Sequence, residues 1–500
     1  MTDVQSARTS HSEDAQLSAA EEQKLPKRQT PFSQAFRQFI PTDWAPYDST
    51  LPEPLGSVPS ATAHRDALAS RFPGERLVIP AGTLVRRNND CDYPFRPNTA
   101  FVYYSGLGTD REPDAVLVID AGSPEHRDVL YFKPRAPRTD REFYADSTYG
   151  EMWVGKRESL AEMSAMTGLE CRDISRFQEA VSAGDPQVRV IRDADSAVTE
   201  RIDALRSSGS EEADQELYEV SSEARFCKDE WETGQLRDAC RKSRQAFDAV
   251  IAEIPAAVEK GRGERWIEGT FGLHARHLGN NVGYGSICAA GDHANTLHWV
   301  RNDGELRPGE LILIDAGIEV DSLYTADITR TFPISGRFTP AQRRVYQAVY
   351  EAQNAAAAVA TVGHDHRDIH QAAIRVIAEY LAEWGILPVS VEDALSPEGG
   401  QFRRWMVHGT SHHLGLDVHD CAEASRHDYS GPLRPGMTVS DEPGIYFRST
   451  DLLVPEEFRG IGVRIEDDIR ITDGECEWLS KDTPRQIDDV EAWMAEIWNS

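Results

Sequence analysis

The sequence predicts two domains in series, an α/β domain followed by an α+β domain with an internal repeat. Three observations predict this. The chain has 500 residues, more than a single hydrophobic core usually serves. Strand-like and helical stretches alternate between residues 60 and 222. The text Leu-Arg-Pro-Gly occurs at 306–309 and again at 433–436, each time ahead of an extended run that ends on a carboxylate.

Composition narrows the class. Hydrophobic residues make up 40% of the chain, ordinary for a globular protein. Lys and Arg number 53 against 83 Asp and Glu, a net charge of −30. That acid surplus argues against nucleic acid and anionic membranes as partners. The cysteine count of 7 is odd and no pair forms a CxxC, so neither a disulfide framework nor a thiolate zinc site is expected. A reducing, cytoplasmic location is the expectation. No apolar leader opens the sequence and no run reaches about 18 apolar residues, so neither secretion nor a membrane span is expected.

Taken in order, residues 1–59 are expected to be largely disordered or extended, with one short helix at 31–40. Thr30 suits the N-cap, Pro31 the first helical position, and Phe32, Phe36, Phe39 and Ile40 one apolar face for docking on this chain or on a second copy. Prolines at 41, 46, 52, 54 and 59 read as a linker. The first domain, 60–222, has helical patterns at 61–71, 158–166 and 194–205. Its strand-like runs lie at 76–79, 100–104, 115–119, 128–132 and 188–191. Within it, Tyr93-Pro94-Phe95-Arg96-Pro97-Asn98 stands out without suggesting any chemistry. The Ser/Glu-rich stretch 209–223 is the expected boundary. The second domain, 223–490, opens on a long helix at 226–258. Helices follow at 341–359 and 368–384, then strands and turns over 405–480 and an acidic helical tail.

The candidate site starts from the apolar run 311–314, which ends on Asp315. Asp327 follows twelve residues later. A carboxylate closing a buried strand is costly unless something pairs with it. Two such acids suggest a cation; the alternative is a hairpin with its acids at the surface. The repeat adds weight to the cation, because Asp315 and Glu442 each lie nine residues after the Leu of their Leu-Arg-Pro-Gly. One ligand from each half would then face a shared centre. His408, His412, His413 and His419 crowd into residues 406–420, marked by Gly409 and Gly415. Strand alternation puts Arg464 and Glu466 on one face, although a surface ion pair would read the same way. His298, before Trp299, is isolated. Asp315, Asp327, Glu442 and Glu466 with one histidine form an oxygen-rich set whose four negative charges balance two divalent cations. Such donors favour Mn2+ or Mg2+, with Zn2+, Co2+ or Fe2+ open. A two-metal centre activates water and polarises a carbonyl, which is hydrolytic chemistry.

These motifs resemble a known family. LHW (297–299), DAG…DITRTFP (315–333), HGTSHHLGLDVHD (408–420), DEPGIY (441–446) and GVRIEDD (462–468) are similar to the creatinase/methionine-aminopeptidase "pita-bread" metallopeptidases, and most of all to the aminopeptidase P family. YPFRPN (93–98) and FVYYSGL (101–107) resemble that family's N-terminal domain. The resemblance implies a creatinase-like α/β domain ahead of a pita-bread domain with pseudo-twofold symmetry. It implies an exopeptidase that releases the N-terminal residue from peptides with proline second. It further implies that Asp315 holds one metal, His412 and Glu442 the other, and that Asp327 and Glu466 bridge them. Glu442 would also handle the proton of the attacking water. His408 and His419 would line the substrate pocket, with His298 and Arg464 as orienting or transition-state groups. A homodimer or homotetramer is implied too. The Asp315–Asp327 spacing is one residue longer than the family pattern, an excess expected to sit in the 320–323 turn. The first 55 residues lie outside the resemblance. The nearest alternative is a prolidase, which needs a cation for a dipeptide's carboxylate; between His419 and Glu442 only Arg426 and Arg434 offer one. A non-catalytic binding protein on the same fold is disfavoured because all five ligand positions are filled.

Overall fold

The computed structural model describes residues 32–89, 91–109, 112–122, 126–184, 186–206 and 210–500. The first domain is built on a mixed sheet of β1 (Arg76–Pro80), β2 (Val116–Asp120), β3 (Arg127–Phe132), β4 (Glu170–Asp173) and β5 (Val188–Val190), in the order β4-β3-β2-β1-β5. β1 and β2 are apolar on both faces because both faces are covered. Leu77, Ile79, Leu117 and Ile119 point into the main core, while Val78, Val116 and Val118 point into a second one. That split follows from the two-residue period of a strand.

One expectation about this domain is corrected. The run 100–104 is not a strand but the middle of a helix, Thr99–Ser105. Asn98 caps it by accepting from Ala100 N, and Gly106 ends it at a φ of 73°. Every residue from Ala100 to Ser105 is buried, so the run carries no polar face to reveal a helical period. Most of the Ser/Glu-rich stretch 209–223 is the helix Glu211–Ala224. Its buried Asp214 accepts from Val190 N and from the guanidinium groups of Arg192 and Arg206, which ties the helix to β5.

The N-terminal arm docks on its own chain. Its helix spans Gln34–Phe39, with Ser33 as the cap. Phe32, Phe36 and Ile40 pack on Phe143 and Tyr144. Phe39 leaves the expected face and is 73% exposed. The remaining expectations here, disorder in residues 1–28, Thr30 as cap and Pro31, lie outside the described residues. Further along the arm, Arg138 stacks on Trp44 and Tyr47, 5.1 and 4.0 Å from the ring centroids.

The second domain opens on helix α1 (Glu230–Val258), started by a capping box between Asp229 and Glu232. Leu236, Cys240, Phe247, Ile251 and Ile254 recur on one face and are buried against helix α2 (Gly263–Leu278) and the sheet. Fully burying a side chain the size of Leu or Phe stabilises by about 1.5–3 kcal/mol. Two further helices, α3 (Pro340–Val359) and α4 (His366–Glu383), pack on each other. The strands come as two half-sheets. One holds β6 (Ile287–Ala290), β7 (Leu311–Asp315) and β8 (Thr329–Pro333), antiparallel in the order β8-β7-β6. The other pairs β9 (Thr438–Asp441) with β12 (Asp467–Arg470), next to the pair β10 (Gly444–Phe447) and β11 (Ile461–Arg464).

The sequence repeat is a structural one. Leu306 and Leu433 are both 2% exposed. Gly309 and Gly436 both turn the chain at positive φ, 92° and 89°, where a side chain would be strained. Each turn launches a strand, β7 or β9, whose C-terminal end reaches the same cavity. Among the described residues no two cysteines form a disulfide, and no helix is long and apolar enough to cross a membrane.

Candidate metal centre

Asp315 ends β7, opposite Thr329 on β8. The chain between Asp315 and Asp327 folds back as a nested hairpin. Ala316 N donates to Ile328 O, and Ala326 N to Ile318 O. Gly317 is required there, since a Cβ would stand 1.6 Å from Ala326 O. At the tip, Leu323 takes a φ of 70°, in the turn where the extra residue was expected. The two acids still meet. The Tyr284 hydroxyl lies 2.7 Å from Asp315 Oδ1 and 2.5 Å from Asp327 Oδ1, and donates its single proton to one or the other.

The DITRTFP text now has a physical reading. Thr329 Oγ1 donates to Glu466 Oε2 at 2.6 Å, and Thr331 Oγ1 to Arg464 O at 2.9 Å, so alternate residues of β8 fasten the end of β11 at Arg464 and the corner after it that carries Glu466. Arg464 Nη2 donates to Asp315 Oδ2 at 2.6 Å and Nη1 to Tyr446 OH at 3.1 Å. Glu442 follows β9, and its N–H donates to Thr410 O.

His412 Nδ1 lies 3.2 Å from the His413 carbonyl. With the Nδ1 proton donated there, Nε2 faces Asp327 Oδ2 at 3.3 Å, Glu442 Oε1 at 3.6 Å and Glu466 Oε1 at 3.9 Å. An imidazole fixed by a backbone carbonyl, with its other nitrogen among carboxylates, is the usual setting of a metal-ligating histidine. One donor atom each from Asp327, His412 and Glu466 lies within 4.8 Å of the others. His408 Nε2 accepts from Tyr446 OH at 2.7 Å, while its Nδ1 contacts Gly409 O. His419 packs edge-on to His412 at 4.5 Å, and His298 lines the same cavity of about 790 Å³. His413, fourth of the clustered histidines, is not part of the site. It is fully buried behind it, with Nε2 on Tyr429 O and its ring stacked on His366.

The electrostatics call for a cation. Four carboxylates converge on one fixed positive group, Arg464. Burial first, then repulsion from Asp327 and Glu442, drives Glu466 well above the usual range. Burial lifts Glu442 to about 7 against the opposing pull of His412 and Arg464. Asp315 is raised by burial too, beyond what Arg464 offsets. Burial acts most strongly on Asp327 and raises it, but its bonds to His412 and Tyr284 and the nearby histidine charge together outweigh burial and hold it low. Burial disfavours charge on His412, yet Asp327 and Glu442 carry it up to about 9. Burial and then Arg464 push His408 down to about 3, so its imidazole is neutral. Acids this crowded, with a histidine nitrogen among them and no second fixed cation among the described lining residues, fit divalent metal.

Sequence reasoning missed Tyr284, Tyr446 and Tyr429, all close to this cavity. Tyr446 stood inside a quoted motif, where Glu442 drew the attention. Tyr284 sits between two glycines and no spacing announces it; only packing brings it to the acids.

Comparison with known proteins agrees with this geometry. The profile of Metallopeptidase family M24 matches residues 234–473, and that of the Aminopeptidase P N-terminal domain matches residues 61–186. Xaa-Pro aminopeptidase 1 of Streptomyces coelicolor is 47% identical over 455 residues, 91% of this chain and 90% of that one. Xaa-Pro aminopeptidase 2 of the same organism is 46% identical over 459 residues, 91% and 95% of the two chains. Among solved structures, Pseudomonas aeruginosa aminopeptidase PepP superposes with a TM-score of 0.77 at 28% identity, covering 90% of this chain and 100% of that one. Escherichia coli aminopeptidase P with the inhibitor Pro-Leu gives 0.76 at 30%, covering 89% and 99%. The chain therefore belongs to metallopeptidase family M24, among its Xaa-Pro aminopeptidases.

Proposed function

We infer that this aminopeptidase holds two divalent cations, Mn2+ before Zn2+, Co2+ or Fe2+, and with them cuts the bond between an N-terminal residue and the proline that follows. The observation that carries this reading is the convergence of Asp315, Asp327, Glu442, Glu466 and His412 Nε2 on one cavity with a single fixed cation. Asp315 would hold one ion, His412 and Glu442 the other, with Asp327 and Glu466 shared. When bound, such ions activate water at neutral pH and polarise a carbonyl. The chain's own groups do the rest. Glu442 takes the proton of the attacking water and passes it to the leaving proline nitrogen, which as a tertiary amide brings no proton of its own. The Tyr446 hydroxyl holds neutral His408 beside the acids, 3.6 Å from Glu442 Oε2, where it can meet the scissile peptide. His298 and His419 close the wall around the substrate, and the carboxylates attract its free α-amino group.

The prolidase alternative lacks support in the cavity. Among the described lining residues Arg464 is the only Arg or Lys, and it is committed to Asp315 and Tyr446. Arg434 lies over the Phe226 ring, and Arg426 is exposed; neither lines the cavity. Xaa-Pro-Yaa peptides should therefore turn over much faster than Xaa-Pro dipeptides. Turnover of dipeptides alone, in a steady-state rate comparison, would sink the aminopeptidase reading in favour of a dipeptidase. No hydrolysis of either with Mn2+ present would revive the binding-protein alternative.

Cation binding should also appear in stability. At one hundred times its dissociation constant, a ligand adds about 2.7 kcal/mol, roughly 5–10 °C in a domain of this size. The pH dependence has a definite sign. Glu442 and His412 are both raised, so each stabilises the cation-free fold at low pH and loses that contribution as pH rises through about 7 and about 9. Asp327, held low, acts only at acid pH, outside this window. Calorimetry should show the cation-free protein losing stability from about pH 5 to 9, and added Mn2+ flattening the loss. Identical profiles with and without metal would count against the centre.

The odd, irregularly spaced cysteines and the acid surplus support a cytoplasmic setting. We place the domain junction near residues 222–223, just before helix Glu211–Ala224 ends. A homodimer or homotetramer is the expected assembly, to be read by light scattering.

A further inference from the structure

Arg96 lies in the Tyr93–Asn98 stretch, which has no role in the site described so far. Pro94 and Pro97 restrict the backbone on both sides of it. Asn98 caps the helix that follows. The guanidinium is thereby aimed out of the first domain at the second, with about a third of the side chain (36%) exposed. Its Nε donates to Glu319 Oε2 at 3.0 Å. Its Nη2 donates to Leu416 O at 2.6 Å and lies 3.1 Å from Asp417 Oδ1. Thr99 Oγ1 adds a bond to Asp417 Oδ2 at 2.7 Å.

The partners of Arg96 sit in two different loops of the metal centre. Glu319 belongs to the nested hairpin between Asp315 and Asp327. Leu416 and Asp417 lie between His412 and His419. The loops also touch each other directly, where Thr325 N donates to Gly415 O at 3.1 Å and where His412 Nε2 faces Asp327 Oδ2 at 3.3 Å. Glu319 is nearly buried, and its other side-chain partner is the neutral Asn280 amide at 2.7 Å. Without Arg96, two carboxylates on opposite loops would face each other with no cation between them, and their repulsion would part the loops.

We propose that Arg96 is a positioning residue for the metal centre. By clamping Glu319 to Leu416 and Asp417, it sets the distance between the Asp315/Asp327 hairpin and the His412/His419 loop, and so the affinity for divalent cations. The first domain is then part of the catalytic device. This rests on the metal-centre reading of the cavity, so the test separates the two.

The probe is Co2+, followed by calorimetric titration and by its visible absorption in the full chain. The expected result for Arg96→Met is Co2+ affinity about 10–100-fold weaker, a changed absorption band at saturation, and a fall in kcat larger than the rise in KM. Arg96→Lys, which keeps the charge without the fork, should recover part of the affinity. Ser60→Ala removes a different contact between the domains, to Asp229, the cap of α1, and should leave Co2+ affinity as in the parent. Asp417→Asn, which removes one clamped charge, is read as Arg96→Met is should that variant fail to fold. Arg96→Met with parental affinity and spectrum overturns the proposal. So does Ser60→Ala weakening binding as much as Arg96→Met, because the effect would then belong to domain docking in general. A parent protein that takes up no Co2+ would instead overturn the metal-centre reading itself.

Discussion

Asp327→Ala will hydrolyse Xaa-Pro-Yaa peptides on the order of a thousand-fold more slowly than the parent, or not at all, because metal assistance is worth several kcal/mol of transition-state stabilisation. Asp327 joins Tyr284 to His412 at the site. Its Oδ1 meets the Tyr284 hydroxyl and its Oδ2 faces His412 Nε2 at 3.3 Å. In the proposed ligand set it serves both ions, so its loss removes a donor from each. The cation-free fold should survive, since the substitution also removes one of four mutually repelling carboxylates. The thermal gain on adding Mn2+ should shrink along with activity. A variant retaining a tenth of parental kcat/KM at saturating Mn2+ is incompatible with this role.

The second large effect concerns stability. Arg330 is fully buried. Its guanidinium donates to Asp467 Oδ1 at 2.6 Å and to the carbonyls of Thr329, Glu466 and Thr483 at 2.7–2.8 Å, while its Nε donates to Pro484 O at 2.7 Å. This single side chain joins β8, the Glu466–Asp467 corner and the chain leading to the last helix. Arg330→Met leaves Asp467 buried beside neutral partners and strands several carbonyls. Breaking a buried ion pair in this way costs about 3–5 kcal/mol, or roughly 6–20 °C of thermal midpoint for a domain of this size. Adding Asp467→Asn should return part of the loss, because the orphaned charge is then gone. Denaturant unfolding of the single and double variants measures both. A midpoint for Arg330→Met within about 2 °C of the parent would mean that water replaces the guanidinium at little cost.

Much of the fold was legible wherever local pattern and burial agree. The strands at 76–79, 115–119 and 128–132 were read because apolar runs bounded by turn residues can be buried on both faces. Helix α1 was read from its amphipathic spacing. The run 100–104 was misread for the converse reason: when every side is buried, periodicity vanishes. Phe39 shows a smaller failure of the same kind, since four apolar residues near one helical face need not all find a surface to cover. The resemblance carried the ligand set further than spacing alone, and the structure brings all five of those side chains to one cavity.

By itself, the sequence determined the two-domain organisation, the repeated turn that ends each half in a strand-end acid, and the residue types able to hold divalent metal. These depend on periods of two and 3.6 residues, on glycine's access to positive φ and on donor chemistry, all of which are local. Only the tertiary structure decided which histidines face the cavity, placing His408, His412 and His419 there and His413 behind it. It alone brought Tyr284 to Asp327 across 43 residues and Arg464 to Asp315 across 149. It also gave Arg96 its partners, 223 and 320 residues away. Contacts over such separations are set by how whole layers pack, and no local property of the chain records where the layers meet.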